Sequence, residues 1–309
     1  MARRNRRGLP VHGWLVLDKP LGMSSSRAVA AVRHLLNAAK AGHGGTLDPL
    51  ATGVLPIALG EATKTVAYAM AGKKRYRFAL RWGEARDTDD GEGRIVATSA
   101  ERPSREAILA ALPGFLGRLQ QRPPAYSALK LGGQRAYALA RSGAAPVLAE
   151  RVVEVAELGL AALPDADHAV FEAEVGKGTY IRALARDLGL ALGTYAHVTA
   201  LQRLSVGGFT LDRAISLDKL AALGHSAAAS EHLLPLETAL DDIPALAMTE
   251  DEVQALRCGR AVTPLRPWDR ARIDAFADGA TIRATSNGRL VALVAIERGL
   301  IRPVRVMNL

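Results

Sequence analysis

The segment from Ala41 to Gly60, AGHGGTLDPLATGVLPIALG, constrains the fold most, because it surrounds one carboxylate with residues of special backbone geometry. Pro49 restricts the preceding Asp48 to extended conformations and ends any helix there. Glycine tolerates positive φ angles and the close approach of another backbone, and three glycines precede the aspartate: Gly42, Gly44 and Gly45. The segment therefore predicts a shaped loop. It suits either a catalytic acid or the turn chemistry for which Asp-Pro pairs are commonly used.

The residues that follow this loop predict a short buried strand. Val54 to Leu59 are apolar apart from the interruption at Pro56, and Gly60 closes the run. Asp48 would then lie on a rigid turn at the mouth of a strand, a position suited to chemistry.

The composition predicts a globular protein with a sizeable core. The chain has 309 residues, of which 49% are hydrophobic and 23% charged, enough for one large domain or two. A single cysteine, Cys258, excludes an internal disulfide framework and a cysteine-based zinc site, and it fits a reducing cytoplasm. The basic N-terminus lacks an apolar signal region, and no apolar run approaches 18 residues, which argues against secretion and membrane spanning.

The charge of the chain favours a polyanionic partner. The net charge is +9, and an excess of Arg and Lys binds polyanions through counterion release, so nucleic acid is the first candidate and an anionic membrane surface the second. Aromatic residues make up only 5% of the chain, which argues against a surface that stacks on many successive bases. The alternative is that the basic composition only aids solubility.

Two segments of the N-terminal half show clear periodicity. Ser25 or Ser26 can cap a helix whose apolar stripe comprises Ala28, Val29, Val32, Leu35 and Leu36. From Lys73 to Trp82 the apolar residues recur every second position and predict a strand, whose basic face suits phosphates or simply solvent. The acidic cluster around Asp89 and Asp90 lacks the spacing of a calcium loop and predicts a solvated hairpin turn.

A basic segment and a glycine turn mark the middle of the chain. About residues 120–151, the run is irregular, polar and rich in cations, and it predicts a mobile arm that closes on a polyanion. In VGKGTYIRALARDLG, glycines precede a helix that begins at Thr179. Tyr180 and Arg182 lie off its apolar stripe, in the first turn, where unpaired N–H groups favour anions. This region predicts a second wall of a site.

A small second unit is predicted after a Pro-interrupted linker at residues 241–244. Thr249 and Glu252 form a capping box at the start of a helix. Beyond it, three runs alternate like strands, and Asn287-Gly288 predicts a hairpin between the last two; the runs are Ile273 to Phe276, Thr281 to Thr285 and Leu290 to Ile296. From Arg257 onward, ten arginines face four acidic residues, so this part of the unit carries a net charge of +6.

Five motifs, in this order, resemble those of the TruB family of tRNA pseudouridine synthases. They are LDKPLGMSS from Leu17, GHGGTLDPLATGVLP from Gly42, KRYRF from Lys74, QRPPAYSALK from Gln121 and GKGTYIRALARDLG from Gly176. The resemblance runs from His12 to about Phe209, and the C-terminal unit resembles a PUA domain. It implies an α+β fold with a mixed, largely antiparallel sheet. The implied domains are a catalytic domain at 1–241, which includes the basic arm, and a small β-rich PUA-like domain at 242–309.

The resemblance also implies the residues of the site. Asp48 would be the nucleophile, paired with Arg182, and Tyr76 would stack on a flipped uracil. Tyr180 would complete the pocket with Arg182, Leu201 would pack in the uracil pocket, and His43 would occupy the space vacated in the RNA loop. Lys19 and Lys64 would support the site or phosphates. Three departures from the family pattern are Gly44 in place of Thr, Val175-Gly176 in place of Cys-Ser, and Ala85-Arg86 before Asp-Thr.

The implied reaction is isomerisation of uridine 55 in the T-loop of tRNA, without metal or cofactor. The implied protein contacts the T-loop and T-stem, needs no protein partner, is a monomer and works in the cytoplasm. Whether Asp48 attacks C6 of the base or assists departure at C1′ stays open. A serine hydrolase built on His43 is disfavoured because the chain has no G-x-S-x-G elbow. A non-catalytic RNA-binding protein or tRNA chaperone remains the alternative.

Overall fold

The computed structural model describes residues 8–127, 130–131, 134–135, 148–224, 227–264 and 267–309. Half of the predicted basic arm lies outside these residues, but its ends belong to strands of a sheet. Within the described ranges, no helix has the length and apolar character needed to cross a membrane.

The chain alternates short helices with many strands. The strands are β1 Gly13–Lys19, β2 Ala41–His43, β3 Ala51–Leu59, β4 Lys74–Trp82, β5 Glu84–Arg86, β6 Ile95–Thr98, β7 Gly117–Gln121, β8 Lys130–Leu131, β9 Gln134–Arg135, β10 Arg151–Ala162, β11 His168–Val175, β12 Ala196–Val206, β13 Phe209–Thr210, β14 Ile215–Ser216, β15 Leu233–Leu234, β16 Ala245–Ala247, β17 Thr281–Ser286, β18 Arg289–Glu297 and β19 Leu300–Val306. The α-helices are α1 Ser25–Leu35, α2 Val66–Ala71, α3 Arg105–Ala111, α4 Ile181–Ala191, α5 Leu217–Leu223, α6 Ala227–Ser230, α7 Glu250–Arg257 and α8 Pro267–Asp274. Short 3₁₀ helices occupy Gly60–Lys64, Leu112–Phe115, Leu211–Arg213 and Leu236–Leu240.

One large sheet organises the described residues as far as Leu234. Its main path runs β14-β1-β3-β12-β4-β11-β10-β7, and β2, β13 and β15 pair at its sides. Most neighbouring strands are antiparallel, whereas β1 with β14 and β3 with β12 are parallel. The predicted fold class, a mixed and largely antiparallel α+β sheet, is confirmed.

The central strands are buried on both faces, which explains why β3 reads as a continuous apolar run. Leu15 and Leu55 pack in one cluster, together with residues of α1 and α4. Trp14 and Val54, on the opposite faces of the same strands, pack in a second cluster, where the Trp14 ring lies 4.9 Å from that of Phe209. Each buried side chain of this size contributes about 1.5–3 kcal/mol to folding.

The cap of helix α1 is Ser24, one residue before the first of the two predicted caps, Ser25 and Ser26. The Ser24 side chain accepts a hydrogen bond from the Arg27 amide and caps the helix. Ser25 instead turns toward the Asp48 loop, where its Oγ accepts from the Leu47 amide at 2.8 Å and donates to the Leu47 carbonyl at 2.9 Å. Of the three adjacent serines, Ser24 therefore caps the helix, because Ser25 is hydrogen-bonded to the Asp48 loop.

The basic face of β4 is paired within the sheet. Arg75 and Arg77 face Glu172 on β11 at 3.9 and 3.4 Å, and Lys73 contacts Glu174 at 2.9 Å. These exposed cross-strand pairs account for the alternating charge without a phosphate, as expected of an antiparallel sheet with one solvated face.

A second sheet, β16-β17-β18-β19, forms the C-terminal unit with its own apolar cluster. The predicted hairpin joins β17 to β18 at Asn287-Gly288, where both residues have positive φ. The strand predicted at Ile273 to Phe276 is wrong, because Ile273 lies in the last turn of α8. A four-residue alternation is too short to separate a strand from the end of a helix.

The C-terminal unit shares part of its core with the large sheet. Leu290, Leu293 and Met307 lie in the same cluster as Trp14 and Phe209. The Glu61 carboxylate accepts a hydrogen bond from the Asn308 amide at 2.8 Å, and the Lys64 ammonium donates to the Val306 carbonyl at 2.6 Å. The unit is therefore docked by apolar packing as well as by polar contacts.

Deleting residues 242–309 is expected to lower the unfolding temperature of the remaining protein by about 10 °C or more, because Trp14 and Phe209 lose their apolar cover. Thermal unfolding followed by circular dichroism measures the change. In the full chain, Leu293→Ala at a buried position of this cluster should destabilise much more than Leu309→Ala at the exposed terminus. Equal unfolding temperatures for the truncated and full chains would contradict the shared core.

Candidate active site

A cavity of about 600 Å³ opens where the Asp48 loop faces the start of α4. Five sequence-predicted site residues line it: Asp48, Tyr76, Tyr180, Arg182 and Leu201. The loop contributes residues 45–48, the strands β4 and β12 form the floor, and the glycine turn at 176–178 forms the opposite wall. Two motifs that are more than 120 residues apart in the sequence thus meet in one pocket.

Asp48 and Arg182 form an ion pair inside this cavity. The Arg182 Nη2 atom lies 2.9 Å from Asp48 Oδ2, and Nη1 lies 3.2 Å from Asp90 Oδ2. The guanidinium also donates to the carbonyls of Thr88 and Tyr126, both at 2.9 Å. Only 4% of Arg182 is exposed. Four contacts in fixed directions leave this planar group one orientation, so it presents a fixed charge to Asp48.

The acidic turn after β5 joins the antiparallel strands β5 and β6, so the predicted hairpin is confirmed. The prediction that it is solvated is wrong, because Asp89 and Asp90 belong to this network. Asp90 is 3% exposed and pairs with Arg182, while Asp89 contacts Arg186 one helical turn further along α4 at 2.9 Å. Burial raises the pKa of Asp89 to about 6, against the opposing effects of Arg186 and Arg182. The turn is buried because arginines of α4 supply its counter-charges, which local spacing in the sequence does not reveal.

Arg203 on β12 is a pocket residue that sequence reasoning missed. It is 1% exposed and lines the floor of the cavity. Its guanidinium donates to three backbone carbonyls: Val54 at 2.7 Å, Gly45 at 3.0 Å and Thr46 at 3.3 Å. The side chain therefore ties the loop that carries Asp48 to strand β3. Arg203 follows Leu201 by two residues, on the same face of the strand, and that spacing is the signal that could have identified it.

Gly53 allows β12 to approach this closely. Its φ angle is +92°, and a Cβ atom there would lie 2.3 Å from the Arg203 carbonyl oxygen. Both the backbone conformation and the space demand glycine.

Lys19 supports the loop from beneath. It is fully buried, and its ammonium donates to the carbonyls of Met23 at 2.7 Å, Pro20 at 2.9 Å and Pro49 at 3.4 Å. Burial lowers the pKa of Lys19 to about 8, with Arg203 adding to the decrease and Asp48 opposing it. Lys19 thus holds the turn at Pro49 rather than lining the cavity.

Tyr76 and Leu201 lie on neighbouring strands of the floor. In the antiparallel pairing of β4 with β12, Tyr76 is opposite Arg203 and Leu201 is opposite Phe78. Tyr180 is on the opposite wall, with its ring under the Arg151 guanidinium at 4.9 Å from the ring centroid. The cavity therefore presents two aromatic rings and several apolar side chains, Leu201 among them, near a carboxylate.

His43 ends β2, two residues before the pocket-lining Gly45. Burial and the nearby Arg203 charge lower the pKa of His43, which favours the neutral imidazole. Its Nδ1 atom is buried and finds no hydrogen-bond partner among the described residues.

Gly44 leaves no free room for the threonine of the family pattern. A Cβ atom built at Gly44 would lie 3.1 Å from Ala69 Cβ, 3.3 Å from Pro56 Cβ and 3.3 Å from the Trp14 ring. These contacts are tighter than ordinary packing. The large ring at position 14 and the glycine at position 44 are thus matched to each other.

Gly44→Thr is expected to destabilise the protein by about 1–3 kcal/mol through overpacking. The double variant Trp14→Val with Gly44→Thr should lose less than the sum of the two single changes, since the smaller valine vacates the space. Urea unfolding of the four proteins in the cycle measures this coupling. Additive single effects would mean that the ring does not limit position 44.

Lys64 lies outside the pocket lining, and its role in supporting the site or phosphates stays a prediction. Its ammonium contacts Glu61 at 2.6 Å and the Val306 carbonyl of β19 at 2.6 Å. A helical position adjacent to a family motif does not reveal that a later part of the chain contacts the side chain.

The described residues hold no group of three or more His, Cys, Asp or Glu side chains that could bind a metal ion.

Two sequence families match most of the chain. Residues 33–181 match the N-terminal domain of the TruB family pseudouridylate synthases, and residues 182–241 match the C-terminal domain of tRNA pseudouridylate synthase B. A tRNA pseudouridine synthase B from Bradyrhizobium diazoefficiens is 57% identical across 99% of this chain and 88% of its own length. Its counterpart from Rhodospirillum rubrum is 52% identical across 99% of both chains.

Solved structures share the fold. A chain of a Cbf5-Nop10-Gar1 complex is 26% identical with a TM-score of 0.72, covering 96% of this chain and 84% of that one. A chain of an H/ACA RNP bound to a substrate RNA has a TM-score of 0.74 at 22% identity, covering 100% of this chain and 92% of that one. Identity above 50% over nearly the full length, together with the matching domains, establishes that the chain belongs to the TruB family of pseudouridine synthases.

Proposed function

We propose that the protein converts uridine 55 in the T-loop of tRNA to pseudouridine, with Asp48 as the catalytic carboxylate. The observation that carries this proposal is the ion pair between Asp48 and the buried Arg182 in a cavity with two tyrosines. Relatives that are more than 50% identical bear the name tRNA pseudouridine synthase B, which supports tRNA as the substrate class.

The reaction needs one carboxylate and no change of oxidation state. The bond between C1′ and N1 breaks, the uracil rotates, and a new bond forms between C1′ and C5. The proton of C5 is lost and N1 gains one, so atoms and charge balance. Asp48 can serve by attacking C6 of the ring or by stabilising C1′ as the base departs, and both routes require it to be ionised. The adjacent guanidinium holds the direction of the carboxylate.

The base must leave its stack before either route is open, because its reacting atoms are otherwise shielded. Extrusion costs a few kcal/mol, and stacking on Tyr76 offsets this cost. Leu201 beside it supplies an apolar contact, and Tyr180 closes the opposite wall. The cavity volume of about 600 Å³ is large enough for a nucleotide and lies within the range of small-molecule sites.

Arg182 has a divided role in this proposal. It contacts Asp48 with one nitrogen and Asp90 with the other. Asp90 therefore fixes the position of the guanidinium, and the guanidinium orients the Asp48 carboxylate. The Tyr126 carbonyl supplies a further contact from the segment after β7. The buried partner keeps the arginine from swinging toward an RNA phosphate when the substrate arrives.

The C-terminal unit is proposed to bind the body of tRNA as a PUA-like domain at 242–309, outside a catalytic domain at 1–241. Its net charge of +6 from Arg257 onward suits phosphates, and it lies on the large sheet through a shared core. His43 is proposed to contact the RNA loop near the flipped base. We also propose that the protein acts as a monomer in the cytoplasm without a protein partner.

Release of tritium from tRNA that carries [5-³H]uridine tests the proposal. Purified protein should release one tritium per tRNA from a transcript with uridine at position 55, and none from that site when it is cytidine. Chemical mapping of the product should place pseudouridine at 55. Tight tRNA binding without tritium release would favour the non-catalytic RNA-binding or chaperone alternative.

A further inference from the structure

Gln121, the last residue of β7, is a buried polar residue that contacts the pocket through its neighbour. It is 2% exposed, and its side-chain amide makes two hydrogen bonds to the backbone of Tyr180. Its Oε1 accepts from the Tyr180 amide at 2.8 Å, and its Nε2 donates to the Tyr180 carbonyl at 3.2 Å. Two reciprocal hydrogen bonds to one residue restrain both the position and the rotation of its backbone.

Tyr180 needs such a restraint because its own segment supplies little. It is the N-cap residue of α4, in an extended conformation, and no side chain caps the helix there. The preceding turn contains Gly176 and Gly178, and Gly178 has a φ angle of +86°. A turn of this composition can adopt many conformations. Contacts from other segments therefore set the direction in which this turn enters the helix. The Gln121 side-chain amide makes two of these contacts, both to the Tyr180 backbone.

Arg151 adds a contact to the ring of the same tyrosine. Its guanidinium lies 4.9 Å from the centroid of the Tyr180 ring, and its Nη2 donates to the Gly178 carbonyl. Arg151 is also the direct partner of Gln121 in the antiparallel pairing of β10 with β7. Adjacent residues on two strands thus hold the backbone and the ring of one pocket residue.

We propose that Gln121 is a positioning residue for the reaction, which acts by fixing Tyr180 in the wall that receives the flipped uracil. This inference rests on the proposed function, because the importance of Tyr180 depends on a base that enters the pocket. Gln121 itself does not line the cavity as Tyr180 and Arg151 do. Its removal should therefore affect the chemical step more than the capture of tRNA, which depends on many phosphate contacts.

Gln121→Met tests this role, because methionine has a similar length and cannot make the two hydrogen bonds. At saturating tRNA, we expect the single-turnover rate of tritium release to fall about tenfold or more, since small displacements of pocket groups are costly. The Kd for tRNA should stay within about twofold of wild type. Gln120→Met is the matched control, because Gln120 is the preceding residue of β7 and its side chain is exposed.

Gln121→Glu gives a second test with a pH signature. An ionised glutamate accepts from the Tyr180 amide but places an oxygen against the Tyr180 carbonyl, where the amide nitrogen donates in the wild type. A protonated glutamate restores a donor, and burial at this position raises the pKa of the introduced carboxyl toward the tested range. The ratio of the Gln121→Glu rate to the wild-type rate should therefore rise as pH falls from about 8 to about 5.5, while the ratio for Gln121→Met stays flat.

Hydrogen exchange at the Tyr180 amide gives a readout that does not require activity. The amide should exchange faster in Gln121→Met than in the wild type and the Gln120→Met control. If the wild type is active and Gln121→Met retains its full rate at saturation, the positioning role is wrong, even when the variant is less stable. If Gln121→Met does not fold, a flat rate ratio for Gln121→Glu would overturn it. Absence of tritium release by the wild type would instead refute the proposed function, and the exchange measurement would still report on the Gln121 contact.

Discussion

Asp48→Asn is expected to reduce the single-turnover rate of tritium release by about 10⁴-fold or more, because an amide cannot supply the negative charge that either route requires. The side chain keeps its size, and the amide oxygen can still accept from Arg182. Affinity for tRNA should stay within about twofold, since Asp48 acts on one base while many cations hold phosphates. Rapid-quench kinetics with excess enzyme and filter binding measure the two quantities.

Asp218→Asn provides the matched control, because it removes an exposed carboxylate at the start of α5, outside the pocket and outside the C-terminal unit. It should leave both rate and affinity unchanged. Substantial tritium release by Asp48→Asn would remove Asp48 from the catalytic role, whatever its effect on binding. A large loss of affinity in Asp48→Asn, with normal folding, would indicate that the aspartate organises the RNA site instead of acting on the base.

The position of Asp48 could be read from the sequence because its constraints are local. Glycines and proline within a few residues shape the loop, and the apolar run after it identifies β3. Alternation over nine residues likewise identified β4, including the side of the strand that carries Tyr76. For this loop and for β4, the backbone geometry or the long period of a single segment decided the structure, and sequence patterns were sufficient.

The buried acidic turn could not be read in this way, because its environment comes from a distant helix. Asp89 and Asp90 form an ordinary polar turn in the sequence, and α4 follows about 90 residues later. Burying a carboxylate is unfavourable unless a charge of opposite sign accompanies it. Only the tertiary structure shows that Arg182 and Arg186 supply those charges.

Polar residues that act on backbone groups were missed for a related reason. Gln121 and Arg203 form hydrogen bonds to the backbones of other segments. A backbone partner can be any residue type, so no sequence motif identifies it. Lys64 is the converse case. Its position next to a motif suggested a role in the site, but its ammonium donates to the Val306 carbonyl of β19. Domain docking depends on surfaces that form only after both sheets have folded.

Arg203→Met is expected to lower the free energy of unfolding by about 2–4 kcal/mol, because the Val54, Gly45 and Thr46 carbonyls lose their donor in a buried site. Urea unfolding measures this loss. The released loop should also cost catalysis, since Asp48 follows Thr46 by two residues and depends on it for its direction. We expect the single-turnover rate at saturating tRNA to fall about 10²-fold, the scale of a misplacement near 1 Å.

Two further variants separate the charge of Arg203 from its geometry. Arg203→Lys keeps the positive charge but cannot reach three carbonyls as a planar fork does, so it should recover stability only in part and remain slow. Gln202→Met, at the neighbouring half-buried position of β12, should leave the rate unchanged. If Arg203→Lys restores the full rate, charge near Asp48 is what matters and the tether is incidental. If Arg203→Met folds and turns over at the wild-type rate, Ser25 and Lys19 are sufficient to hold the loop, since they bind it independently at Leu47 and Pro49.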